Sequence, residues 1–213
     1  MRATCASGPL DVLLLGDSIT ERWLRPGLAS DDSNFMQRDG GDLLAAFGPQ
    51  RRVAVAAIGG DKTTDMLWRL RAGGLGEAVK QCAPRAVHVL LGTNDLGTGA
   101  APAEAGESYR QLVGELLGLR PDAQLTLQLI MPRGFRGIGE RRAPKPQGLT
   151  SLRWAACPSA GSLHPREIDP DSDPACAVLF WPVSELNRMI GRLASEHGAA
   201  GHDVGALDCT RAA

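Results

Sequence analysis

Leu10-Asp-Val-Leu-Leu-Leu-Gly-Asp-Ser-Ile-Thr20 is the stretch on which the chain turns. The apolar run Val12 to Leu15 is bounded at once by Gly16, Asp17 and Ser18, and reads as a short buried strand ending in a sharp turn. Ser18 then stands at the carboxyl end of that strand, the edge at which open α/β sheets bind ligands. A short helix over Ile19 to Leu24 would leave the Ser18 amide at its N-terminus, ready to stabilise an anion. One residue thus offers a nucleophilic oxygen and an oxyanion donor. The plainer reading is a serine that only caps the helix, and this stretch alone does not separate the two.

The same punctuation recurs downstream. Arg52-Val-Ala-Val-Ala-Ala-Ile58 runs into Gly59-Gly60-Asp61, and Ala86-Val-His-Val-Leu-Leu91 into Gly92-Thr-Asn-Asp95. Leu125 to Met131 forms a fourth strand before Pro132, and Val204 to Leu207 a fifth. Helical spacing appears between them. A short helix over 34–47 carries Phe35, Leu43, Leu44 and Phe47; Met66, Leu67 and Leu70 precede Gly73-Gly74. Pro102 suits a first helical turn, and Tyr109, Leu112, Val113, Leu116 and Leu117 share one face behind it. Leu186, Met189, Ile190 and Leu193 mark a last helix, ending near His197-Gly198. Strand, turn and helix in alternation predict a mostly parallel sheet with helices on both faces. The first three turns then bring Ser18, Gly60 and Asn94 to one edge.

Composition narrows the class. A chain of 213 residues, 43% hydrophobic and 22% charged, predicts one soluble domain over 1–213 with a substantial core. A net charge of −1 and nine aromatic residues give no footprint for nucleic acid or an anionic membrane. No apolar stretch approaches a membrane span, and no signal core precedes the first strand. The five cysteines, at 5, 82, 157, 176 and 209, are odd in number and widely spaced. That pattern predicts reduced thiols and a cytoplasmic protein, and the lack of Cys-x-x-Cys argues against a structural zinc site.

Residues 132–182 break the alternation, holding eight of the fourteen prolines. Basic residues gather between Arg133 and Lys145, acidic ones between Glu167 and Asp173. The expectation is an irregular insertion over about 134–181. Two partial motifs are set aside. Ile58-Gly-Gly-Asp-Lys-Thr-Thr64 has Asp61 where a phosphate loop needs glycine before its lysine. Asp169-Pro-Asp-Ser-Asp173 has Pro174 where a calcium loop needs glycine, and Phe180 where it needs glutamate. Asn94 is either an oxyanion donor or a turn former; Asp95 reads as a local capping carboxylate rather than a catalytic acid.

Taken together, Gly16-Asp-Ser-Ile-Thr20, Gly59-Gly60 and Gly92-Thr-Asn-Asp95 resemble the three leading blocks of the SGNH (GDSL) hydrolase family. Ile58 to Gly73 and Leu129-Ile-Met-Pro-Arg-Gly134 are similar to the branch containing platelet-activating-factor acetylhydrolase catalytic subunits. The resemblance covers about 10–134, and weakly 183–209. It implies a flavodoxin-like three-layer α/β/α sandwich with strand order 2-1-3-4-5. It implies hydrolysis of a small carboxylic ester, with Ser18 as nucleophile and the Ser18 amide, the Gly60 amide and the Asn94 side chain as oxyanion hole. No cofactor or metal is implied, and a homo- or heterodimer is left open.

One block of that family has no counterpart. Its last block is an Asp three residues before a His, and Arg85, Gly161, Ala194 and Ala199 stand at that spacing before His88, His164, His197 and His202. Leu207-Asp-Cys209 matches the family's fifth strand, so a C-terminal end missing from the domain is expected. His88 lies mid-strand, more than about 10 Å below the active edge at roughly 3.3 Å per residue. His197 and His202 fall at the opposite edge, which leaves only His164 on the correct one. The sequence thus predicts an SGNH-type esterase that turns over weakly for lack of a base. The alternatives are a non-catalytic homologue that keeps the pocket, and a truncated product that exposes apolar sheet.

Overall fold

The computed structural model describes residues 8–21, 47–130 and 174–209, of which 174–181 are described by backbone alone. Its strands are β1 (Val12–Gly16), β2 (Val53–Ala57), β3 (Ala86–Leu90), β4 (Gln124–Gln128) and β5 (Val204–Leu207). All pair in parallel in one sheet of order β2-β1-β3-β4-β5, as expected. The helices are α1 (Ser18–Glu21), α2 (Thr63–Arg71), α3 (Leu75–Cys82), α4 (Thr93–Gly97), α5 (Pro102–Leu119) and α6 (Pro174–Ala199).

Register sets the working edge. Gly16 lies opposite both Ala57 of β2 and Leu90 of β3, so β1 and its two neighbours finish level. The turns that follow them therefore open on one side of the sheet. Gly92 begins the third turn at φ +112°, a conformation that side chains disfavour. A Cβ there would also lie 2.6 Å from Ile130 Cδ1 and 3.0 Å from Leu186 Cδ2, so the ends of these side chains would have to shift, but it is the backbone angle that calls for glycine.

The core lies on one face of the sheet. Alternate residues Leu13, Leu15, Ala54, Ala56, Val87, Val89, Leu125 and Leu127 are buried there. They pack against Met66, Leu67 and Leu70 of α2, Val79 of α3, Leu112 and Leu116 of α5, and Leu186, Ile190 and Leu193 of α6 in one cluster. Positions Val53, Val55, His88, Thr126 and Gln128, on the other face, are half-exposed. Residues 34–46 of the helix expected over 34–47, and residues 22–24 of the one expected over Ile19 to Leu24, lie outside the described residues. Along β5, Gly205, Ala206 and Leu207 are exposed.

Two expectations are corrected. The irregular insertion does not reach 181, because α6 starts at Pro174 and continues through Pro182. Proline is tolerated in a first helical turn, and the run Ala175 to Trp181 that follows contains no breaker. The remainder of the insertion, 134–173, lies outside the described residues. The second correction is Cys82, which is buried and disulfide-bonded rather than reduced. A disulfide needs spatial proximity, on which sequence spacing is silent, and the cytoplasmic expectation loses the support it took from free thiols. Cys209 is a free thiol. Among the described residues no helix is long and apolar enough to cross a membrane.

Candidate active site

The first turn places Ser18 without using it as a cap. Asp17, completely buried, takes that role: its Oδ1 accepts the Ile19 N–H at 2.8 Å and its carbonyl the Glu21 N–H at 2.8 Å. Ser18 becomes the first helical residue, half-buried, and its hydroxyl bonds to none of the described residues. Its amide belongs to the first turn of α1, where backbone N–H groups lack intrahelical acceptors.

The second turn is closed by the Asp61 N–H donating to the Ile58 carbonyl at 3.1 Å. Gly60 sits at its exposed tip with φ +89°, and its N–H donates to none of the described residues. The Asp61 carboxylate pairs with Arg69 at 2.5 Å. Burial nonetheless holds the Asp61 pKa above the ordinary carboxylate value, the Arg69 hydrogen bond and charge opposing it. Lys62 caps α2 through its neighbour Asp65, whose Oδ2 accepts the Lys62 N–H at 2.9 Å.

The third turn ties the other two together. Asn94 is buried, and its side-chain amide reaches out of its own turn rather than forming it. Nδ2 donates to Asp17 Oδ2 at 3.3 Å and to the Asp61 carbonyl at 2.9 Å. A single residue of the turn after β3 therefore touches the neighbour of Ser18 and the neighbour of Gly60. Both amide protons have acceptors, the Asp17 bond being the longer.

Asp95 is a cap, as read, but not a local one. It is buried, and its carboxylate accepts the Thr63 N–H at 3.0 and 3.2 Å and the Thr63 hydroxyl at 3.2 Å, across 32 residues. Burial raises its pKa, with the Thr63 bonds and Lys62 acting in the opposite direction. Sequence reading missed this clamp and the bond from Asn94 to Asp17. The capping role of Asp17 had a signal, since Asp ahead of Ser-Ile-Thr-Glu is an N-cap pattern; neither long-range bond had one.

The described histidines lie away from these turns. His88 is level with Leu14 in β1, short of the working edge, and its Nε2 lies 2.8 Å from Gln128 Oε1. His197 and His202 face each other with ring centroids 5.8 Å apart, at the end of α6 and just before β5, on the opposite edge. His164 lies outside the described residues. Among the described residues no group of three or more His, Cys, Asp or Glu is placed to hold a metal ion.

The chain as a whole is similar to known proteins. The platelet-activating factor acetylhydrolase IB subunit alpha1 of Pongo abelii is 36% identical over 118 residues, covering 55% of this chain and 46% of that protein. The chain thus spans about half the length of that curated relative. The solved acetyl xylan esterase AlAXEase aligns with a TM-score of 0.54 at 18% identity, over 94% of this chain and 78% of its own. The lipase/acylhydrolase of Enterococcus faecalis aligns at 0.51 and 20% identity, over 95% and 78%. At such identities the structures speak for the fold. The family model of the GDSL-like lipases and acylhydrolases matches residues 14–212, a span that includes all three turns, and the chain belongs to that family.

Proposed function

We propose that this chain acts on small carboxylic esters, with Ser18 as nucleophile and the Ser18 N–H, the Gly60 N–H and the Asn94 side-chain amide as oxyanion hole. The observation that carries this reading is Asn94, whose one side chain links the Ser18 turn to the Gly60 turn. The Ser18 oxygen bonds to the acyl carbon, and the carbonyl oxygen becomes an oxyanion facing the three donors. Collapse expels the alcohol and leaves an acyl-serine, which water then cleaves. Asn94 enters this scheme by turning one proton from its longer bond, to Asp17, toward the oxyanion. The name of the Pongo abelii relative, an acetylhydrolase, makes acetyl the acyl group to test first.

The proton of Ser18 needs a base within about 2.6–3.2 Å, and none of the described histidines lies on that edge. Loss of the base of a Ser–His pair costs on the order of 10⁶ in turnover, while an oxyanion hole retains roughly 10³ over water. The expected phenotype of residues 1–213 is an ester-binding site with weak turnover. This favours, as a second reading, a homologue that binds its ligand without processing it.

The test is hydrolysis of p-nitrophenyl acetate by the chain, beside Ser18→Ala and His164→Ala. Little turnover in all three is expected. Robust turnover lost in Ser18→Ala but kept in His164→Ala would reveal another base, and loss in both would make His164 that base. Robust turnover that survives Ser18→Ala would overturn the assignment of the nucleophile.

A further inference from the structure

Asn94 and Asp95 are adjacent on α4, and both grip the segment that carries Gly60. Asn94 holds the Asp61 carbonyl at 2.9 Å; Asp95 holds the Thr63 N–H and hydroxyl at 3.0–3.2 Å. Thr63 and Asp95 are buried, so this clamp is shielded from water. A cap from the adjacent residue 62 would serve the stability of α2 equally well. A carboxylate placed 32 residues away does what a local cap cannot: it ties the start of α2 to the end of β3.

We propose that Asp95 is a positioning residue, whose carboxylate holds the Gly60 turn in register with Asn94 so that both donors address the same oxygen. The inference rests on the ester-hydrolase reading of the site. The geometry favours it over a merely structural role. The clamp engages the segment two residues beyond Asp61, while the side chain next to it carries one of the donors. Its partner is the N-terminus of α2, and the other donor lies three residues before that partner. Donors preorganised toward a developing oxyanion contribute only if their aim is held, and displacement by about 1 Å is enough to cost about 100-fold.

Phosphonylation by a fluorophosphonate ester tests this without relying on turnover. The Ser18 oxygen–phosphorus bond forms as fluoride leaves, the hydroxyl proton passes to solvent, and the phosphoryl oxygen occupies the oxyanion position. The maximal labelling rate is separated from the reagent's dissociation constant by varying its concentration. Peptide mass spectrometry locates the label, and melting temperature shows that each variant is folded. Asp95→Asn is expected to slow the maximal rate about 10- to 100-fold with the dissociation constant nearly unchanged. Thr63→Val, which removes only the hydroxyl bond, is expected to slow it less, and Thr63→Ser to restore it. If Asp95→Asn does not fold, the Thr63 pair decides. Labelled Ser18 with a maximal rate within twofold of the parent in the folded variants overturns the role of Asp95 and leaves the reading of the site intact. Failure to label Ser18 in the unmutated chain even at alkaline pH, where hydroxide stands in for the missing base, overturns that reading, and the proposal with it.

Discussion

Tyr109 is fully buried on α5, and its hydroxyl meets no hydrogen-bond partner among the described residues. Burial, and then the charge of Asp95, hold its pKa far above the ordinary phenol value, so it stays protonated. An orphaned hydroxyl of this kind costs desolvation and returns nothing. Tyr109→Phe is therefore expected to be at least as stable as the parent in urea unfolding; a loss beyond about 1 kcal/mol would show that the hydroxyl has a partner. Gly92→Ala should behave oppositely. It combines a positive φ with a Cβ against Ile130 and Leu186, and a loss of about 1–3 kcal/mol is expected from the same measurement. Parental stability would mean that the turn relaxes freely. At this scale the turns that carry Ser18, Gly60 and Asn94 were legible because each cuts off an apolar run. The clamp of Asp95 on Thr63 was not, because no local pattern pairs residues 32 apart.

Elements show where sequence signals mislead. Prolines read as punctuation placed the start of α6 after Pro182, whereas the helix begins at Pro174 and runs through it. The apolar positions of that helix were legible, since Leu186, Ile190 and Leu193 recur at helical spacing and all face the core. What joins α6 to the sheet was hidden. Asn187 accepts the Ile130 N–H at 2.7 Å and donates to the Ile130 carbonyl at 2.8 Å, just beyond β4. Both bonds are part-buried, so Asn187→Ala leaves two backbone groups incompletely paired. The expected cost is about 1–3 kcal/mol in unfolding free energy, with the urea dependence unchanged. A neutral result would assign the docking of α6 to its apolar face alone.

The whole molecule registers its buried ionisable groups as a dependence of stability on pH. Burial lowers the pKa of His88 below 6.5, the hydrogen bond to Gln128 opposing it only in part. Between 6.5 and the lower folded value the unfolded chain binds more protons than the fold, so stability falls as pH falls through that window. Asp61 and Asp95 have the opposite sign. Burial raises both above 3.8, so from 3.8 up to the raised values the fold binds more protons, and protonating them favours the folded state. The His88 contribution is therefore present above pH 6.5 and lost on mild acidification, whereas that of the two carboxylates is gained only at lower pH. Replacing His88 by glutamine removes the titrating ring and keeps a polar group that can meet Gln128. Urea unfolding of the parent at pH 7.5 and at steps down to about 5 should show declining stability, and His88→Gln should flatten the part of that decline just below 6.5. An unchanged decline in His88→Gln would place its source in other groups, and would mean that His88 is as easily protonated in the fold as in the open chain.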